Sequence, residues 1–119
     1  GRNFFFRDAS NIRQSQAVLI IGTRLANLGL NCGYCGYPTC AEKDQSGNAP
    51  CAFPVTDLGI AVGSACSKAS DAKVDTRVMF SAGTAAMELG WLGEDCKLAY
   101  AIPISVSGKS PYFDRQFQH

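Results

Sequence analysis

The chain's apolar positions fall into short runs and helical stripes. Phe4-Phe5-Phe6 is an aromatic run suited to a strand, and Asp8 behind it can cap a brief helix over 9–14. Ala17-Val18-Leu19-Ile20-Ile21 predicts a buried strand, short, rich in branched side chains and closed by Gly22. Between residues 28 and 54 the pattern is lost, replaced by Gly, Pro, Asn and four cysteines. That stretch predicts a loop, and a loop of this length in a compact domain needs a physical reason. Thr56 or Asp57 can cap a helix running to about Ser70, with Leu58, Val62, Ala65 and Ala69 as its apolar stripe. Gly59 and Gly63 share another face of it, where the lost helix propensity predicts a closely packed neighbouring helix.

Asp75 can cap a second helix over 76–89, stopped by Gly90 and carrying only Arg77 and Glu88 as charges. Being apolar almost all round, it is expected to be the central buried helix. Residues 98–104 predict a strand apolar on both faces, with Pro103 placing that end at an edge or break. The order β-α-β-loop-α-α-β indicates an α/β fold: a small sheet packed with two main helices and a long cysteine-rich, metal-binding loop. No internal repeat is present.

Length and composition narrow the function classes. A chain of 119 residues is the size of one domain, and 46% apolar against 18% charged residues excludes a disordered or coiled-coil chain. Eleven basic and ten acidic residues leave a net charge of +1, with no electrostatic footprint for nucleic acid or an acidic membrane. The longest apolar runs, 17–21 and 98–102, are five residues each, far short of the ~20 needed to cross a bilayer. No signal peptide opens the chain, so a reducing cytoplasm is the expected compartment, where cysteines are more often ligands than disulfides. The start at Gly1 rather than Met suggests the C-terminal part of a longer protein.

Six cysteines are the abnormal feature. Cys32, Cys35, Cys40 and Cys51 have the spacing C-x2-C-x4-C-x10-C inside the one long loop. Four thiolates so close in sequence can surround one metal centre, and ligation can order a loop that buries little apolar surface. Gly33 and Gly36 directly follow the first two cysteines, and glycine there lets backbone N–H groups point at sulfur. A four-iron cluster suits an all-Cys, glycine-rich and nearly uncharged loop best. Structural zinc accepts the same four donors, although a zinc knuckle has histidine third and a shorter last spacer. Disulfides or free thiols are the remaining reading, and a redox pair of Cys32 with Cys35 would leave Cys40 and Cys51 unexplained.

The segment Asn31-Cys32-Gly33-Tyr34-Cys35-Gly36-Tyr37-Pro38-Thr39-Cys40-Ala41 resembles the N-C-G-x-C-G-x-P-x-C signature of four-iron clusters in corrinoid iron–sulfur and electron-transport subunits. There a fourth cysteine follows at a longer spacing, commonly before proline; Cys51 comes sooner and precedes Ala52. With 6–9, 57–65 and 102–109, the chain resembles a prokaryotic family of uncharacterized ferredoxin-domain-containing proteins. Its members usually carry some tens of residues more at the N-terminus. This resemblance implies a ferredoxin-like iron–sulfur domain over 1–119. The ending Gly108-Lys109-Ser110-Pro111-Tyr112-Phe113-Asp114-Arg115 also resembles the closing segment of nitroreductase-like flavoproteins. That likeness implies a truncated nitroreductase-like domain binding FMN, completed by a partner chain in a homodimer. The arginine-rich N-terminal flavin segment of nitroreductases has no counterpart here.

The other candidates have simpler readings. Cys66, mid-helix, is expected in the core, and Cys96 is expected as a half-buried structural thiol. His119, the only histidine, is terminal, which removes Ser-His and Cys-His nucleophiles built within the chain. Glu94-Asp95 reads as a solvated turn. Ser107-Gly108-Lys109-Ser110 lacks the upstream glycine and the following helix of a phosphate loop, though Lys109 and Arg115 could hold an anionic phosphate. Tyr34 and Tyr37 are expected to shield a cluster from water. No acid, base or nucleophile stands out. The sequence thus points to a redox module carrying electrons to a protein partner, ahead of a structural zinc module or a flavin reductase relative.

Overall fold

A computed structural model describes residues 3–47 and 49–114. The elements run α1 (Asn3–Arg13), β1 (Ala17–Thr23), α2 (Cys40–Gln45), α3 (Ala52–Asp71), β2 (Asp75–Thr76), α4 (Phe80–Glu88) and β3 (Leu98–Ser105). The three strands form one antiparallel sheet in the order β1-β3-β2. The expected class, mixed α/β with a small sheet packed against helices, is the one observed.

β3 is the centre of the fold, and its two faces explain its unbroken apolar sequence. Leu98, Tyr100 and Ile102 turn to α3 and pack with Leu58, Val62, Ala65, Cys66 and Ile21. Ala99 and Ala101 turn the other way, toward α4. Pro103 therefore does not mark an edge: it is fully buried in the middle strand. Its missing N–H falls where no partner is offered. Ala101 exchanges both backbone bonds with Met79, whereas the Ile104 carbonyl accepts from Gln16 on the opposite side. Pro103, two residues from Ala101, thus turns its nitrogen toward the gap between Thr76 and the Met79 bridge.

The expected strand at Phe4-Phe5-Phe6 is instead the first turn of α1. Helical spacing buries Asp8 and Asn11. It also sets Phe4 and Phe5 against Phe80 of α4, with ring centroids 5.7 and 6.1 Å apart. Asp8 is accordingly a mid-helix residue rather than a cap; its Oδ2 accepts from Ser81 Oγ of α4 at 2.5 Å. β1 was expected to be buried, but it pairs on one side only, leaving Val18 and Leu19 exposed.

Both main helices start elsewhere than expected. α3 begins at Ala52 with Cys51 as N-cap, because Pro54 sits in the first turn, where its absent N–H has no intrahelical partner. Asp75 and Thr76 belong to β2, and α4 starts at Phe80. α4 buries Ser81, Gly83 and Ala86 but exposes Phe80, so it is half-covered rather than central. Gly90 has the left-handed φ of 76° expected of a helix stop. Gly59 and Gly63, expected under a close neighbour, face open space. No helix among the described residues is long and apolar enough to cross a membrane.

Candidate functional site

Residues 24–39 carry no regular element between β1 and α2, and their course is set by local devices. Gly29, Gly33 and Gly36 adopt φ of 74°, 76° and 96°, and Asn31 reaches 49°. The Asn31 side chain fixes that turn to the next element, its Oδ1 accepting from Cys40 N at 2.9 Å. Thr39 caps α2, its Oγ1 accepting from Glu42 N at 3.1 Å. Cys40 is therefore the first residue of α2, and Cys51 is the N-cap of α3. Two of the four loop cysteines thus sit where backbone N–H groups lack intrahelical partners.

These devices bring Cys32, Cys35, Cys40 and Cys51 to the walls of one cavity of about 20 Å³. Gly33, Tyr37 and Phe53 also line it. The Tyr34 N–H donates to Cys32 Sγ at 3.5 Å, the kind of backbone donor expected of Gly33's positive φ. Cys51 is buried, Cys35 and Cys40 half-buried, and Cys32 exposed. The thiols share a cavity without closing on a point: among the described residues, no three His, Cys, Asp or Glu side chains form a group able to hold a metal ion. The cavity as it stands has room for about one water-sized body. By donor chemistry the wall fits a thiophilic centre, with four thiols and no carboxylate or imidazole.

The remaining cysteines lie elsewhere. Cys66 packs against the α3–sheet core as expected, and Cys96 is half-buried with its Sγ 3.5 Å from Leu98 O. Of the two tyrosines expected to shield the site, Tyr37 lines the cavity. Tyr34 is 75% exposed and stacks on Phe53, ring centroids 5.6 Å apart. Lys109 is paired with Asp114 at 2.9 Å; Arg115 and His119 lie outside the described residues.

Lys43 was missed by the sequence reading. It lines the same cavity with only 5% of its surface exposed. Its Nζ donates to Ala49 O at 3.1 Å and lies 3.3 Å from Asp44 Oδ1. Hydrogen bonds from Asn27, then the neighbouring Lys43, hold the Asp44 carboxyl below its ordinary pKa. The Thr39-x-x-Glu42 capping pattern could have placed α2, and with it Lys43 one turn beyond Cys40. A second concavity of about 430 Å³, lined by Phe5, Ile12, Val18, Leu89 and Trp91 over the Asp8–Ser81 pair, is apolar and holds no cysteine.

A helix-flanked, cysteine-lined loop beside a small sheet is compatible with a ferredoxin-type domain, and the family match carries that description. Residues 47–115 match the model of a family described as "Uncharacterized protein containing a ferredoxin domain (DUF2148)", and the chain belongs to that family. An uncharacterized protein of Archaeoglobus fulgidus is 42% identical over 123 residues, covering 97% of this chain and 66% of that relative. The chain thus spans about two thirds of the length of the curated relative it matches. No solved structure matches it. The family match contains Cys51, Cys66 and Cys96, while the similarity to the archaeal protein extends over nearly the whole chain.

Proposed function

We propose that Cys32, Cys35, Cys40 and Cys51 hold a four-iron, four-sulfur cluster, and that the chain is a redox module passing single electrons to a protein partner. The observation that carries this reading is the partition of the six cysteines. The four of the loop line one cavity, and the other two do not. A family described by its ferredoxin domain points the same way.

When bound, the cluster supplies a reversible one-electron couple. The chain's own residues do the rest. The Tyr34 N–H offset charge on the Cys32 sulfur. Cys51 stands at the N-terminal end of the 20-residue α3, where the helix dipole favours a thiolate. Tyr37 and Phe53 give the cavity wall apolar ring surface, which limits the access of water to a bound centre. Positive φ at Gly29, Gly33 and Gly36 gives the loop the backbone freedom to draw four thiolates together on ligation. Residues 1–119 then form one iron–sulfur domain of a longer protein working in a reducing compartment such as the cytoplasm.

Anaerobic reconstitution with iron and sulfide tests this. Broad absorption at roughly 400 nm that dithionite bleaches, with about four irons per chain, is the expected result. One zinc per chain without colour would replace this reading with a structural metal module. A flavin spectrum in place of the cluster's would favour an FMN-dependent reductase.

A further inference from the structure

We propose that Lys43 sets the potential of the site: it is the only charged residue among the described residues lining the four-cysteine cavity, and its buried positive charge stabilises the added electron. This inference rests on the iron–sulfur reading above.

A lysine is almost never fully buried unless its charge is answered, because removing an ammonium from water is costly. Lys43 is 5% exposed, and Ala49 and Asp44 answer its charge incompletely. Ala49 O is a neutral acceptor at 3.1 Å. Asp44, at 3.3 Å, keeps 60% of its side chain in solvent and also accepts from Asn27 Nδ2 at 2.8 and 3.1 Å. Its charge is therefore screened and shared. Among the described residues the cavity wall carries no charged side chain besides Lys43, and it carries four thiols. Ligated as thiolates around a cluster they are net anionic, and more so after reduction. A nearby buried cation favours the reduced form, since net charge is among the factors setting such potentials.

A purely structural role exists as the alternative: Lys43 ties α2 to the segment before Cys51 through Ala49. That role needs a bond, not a charge, and would leave the potential of a loaded protein unmoved.

The test is a spectroscopically monitored redox titration of the reconstituted chain with Lys43→Met, Lys43→Arg and Asp44→Asn. Lys43→Met keeps an apolar stem and deletes the charge. At fixed potential its reduced-to-oxidised ratio should fall at least tenfold, about 59 mV for a one-electron couple. Lys43→Arg should stay within about threefold of wild type, and Asp44→Asn should shift the ratio toward the reduced form. An iron-loaded Lys43→Met with an unchanged midpoint overturns the role of Lys43 and leaves the cluster reading standing. Should Lys43→Met not load, an unchanged or lowered midpoint in Asp44→Asn, altered only at an exposed side chain, overturns it. A wild-type chain that takes up no iron overturns both.

Discussion

A methyl group at Gly83 of α4 would stand 2.2 Å from the carbonyl oxygen of Ala99 in β3, and 2.8 Å from the Tyr100 Cα. All of these atoms are backbone, so no side chain can swing away. Gly83→Ala would gain about 1 kcal/mol of helix propensity, but overpacking against a central strand costs ~3 kcal/mol or more. The cost wins, and chemical denaturation should show a net loss. Gly59→Ala in α3, which meets open space, should instead gain up to about 1 kcal/mol.

Ser81 and Asp8 make the corresponding polar link between α4 and α1. Both are buried, and Arg7 Nε donates to the other carboxylate oxygen at 3.1 Å. Ser81→Ala leaves a buried carboxylate oxygen short of a donor and should cost about 1–3 kcal/mol. Ser64→Ala, on the exposed face of α3, should change denaturation by less than ~0.5 kcal/mol.

Alkaline pH should weaken the fold through Tyr112. Its hydroxyl lies 2.7 Å from Ser15 Oγ, and burial raises the phenol above its ordinary pKa, outweighing the Ser15 bond that opposes the shift. A group raised in the folded state contributes stability that is fully present below its unfolded pKa of about 10. That contribution is lost as pH rises through the folded value. Urea melts at pH 8 and near 10.5 should show the loss in wild type. Tyr112→Phe should show a smaller pH dependence, on a baseline lowered by about 1 kcal/mol for the lost hydrogen bond.

Much of the fold was legible because its signals are local. The strand at 17–21, the helix stripe Leu58–Val62 and the stop at Gly90 each depend on a pattern the neighbouring residues complete. Phe4-Phe5-Phe6 misled because an aromatic triplet suits either state; Phe80, some seventy-five positions away, decides it. Pro103 misled for the same reason, since the ladder gap that tolerates it belongs to another segment. The four loop cysteines stood out by spacing, and their shared cavity is the structural counterpart. Lys43 did not stand out, because in sequence it is one polar residue among Glu42, Asp44 and Gln45. Its burial shows only in the fold, where its Nζ donates to Ala49 O at 3.1 Å.

The central claim is most directly tested by iron and acid-labile sulfide per chain across the six single Cys→Ser variants, each reconstituted anaerobically beside wild type. Cys32→Ser, Cys35→Ser, Cys40→Ser and Cys51→Ser should each lose most of the iron, sulfide and visible absorption. Cys66→Ser and Cys96→Ser should keep about four irons per chain. Unchanged iron in Cys51→Ser together with loss in Cys66→Ser would contradict the ligand set, and zinc in place of iron throughout would contradict the electron-carrying role.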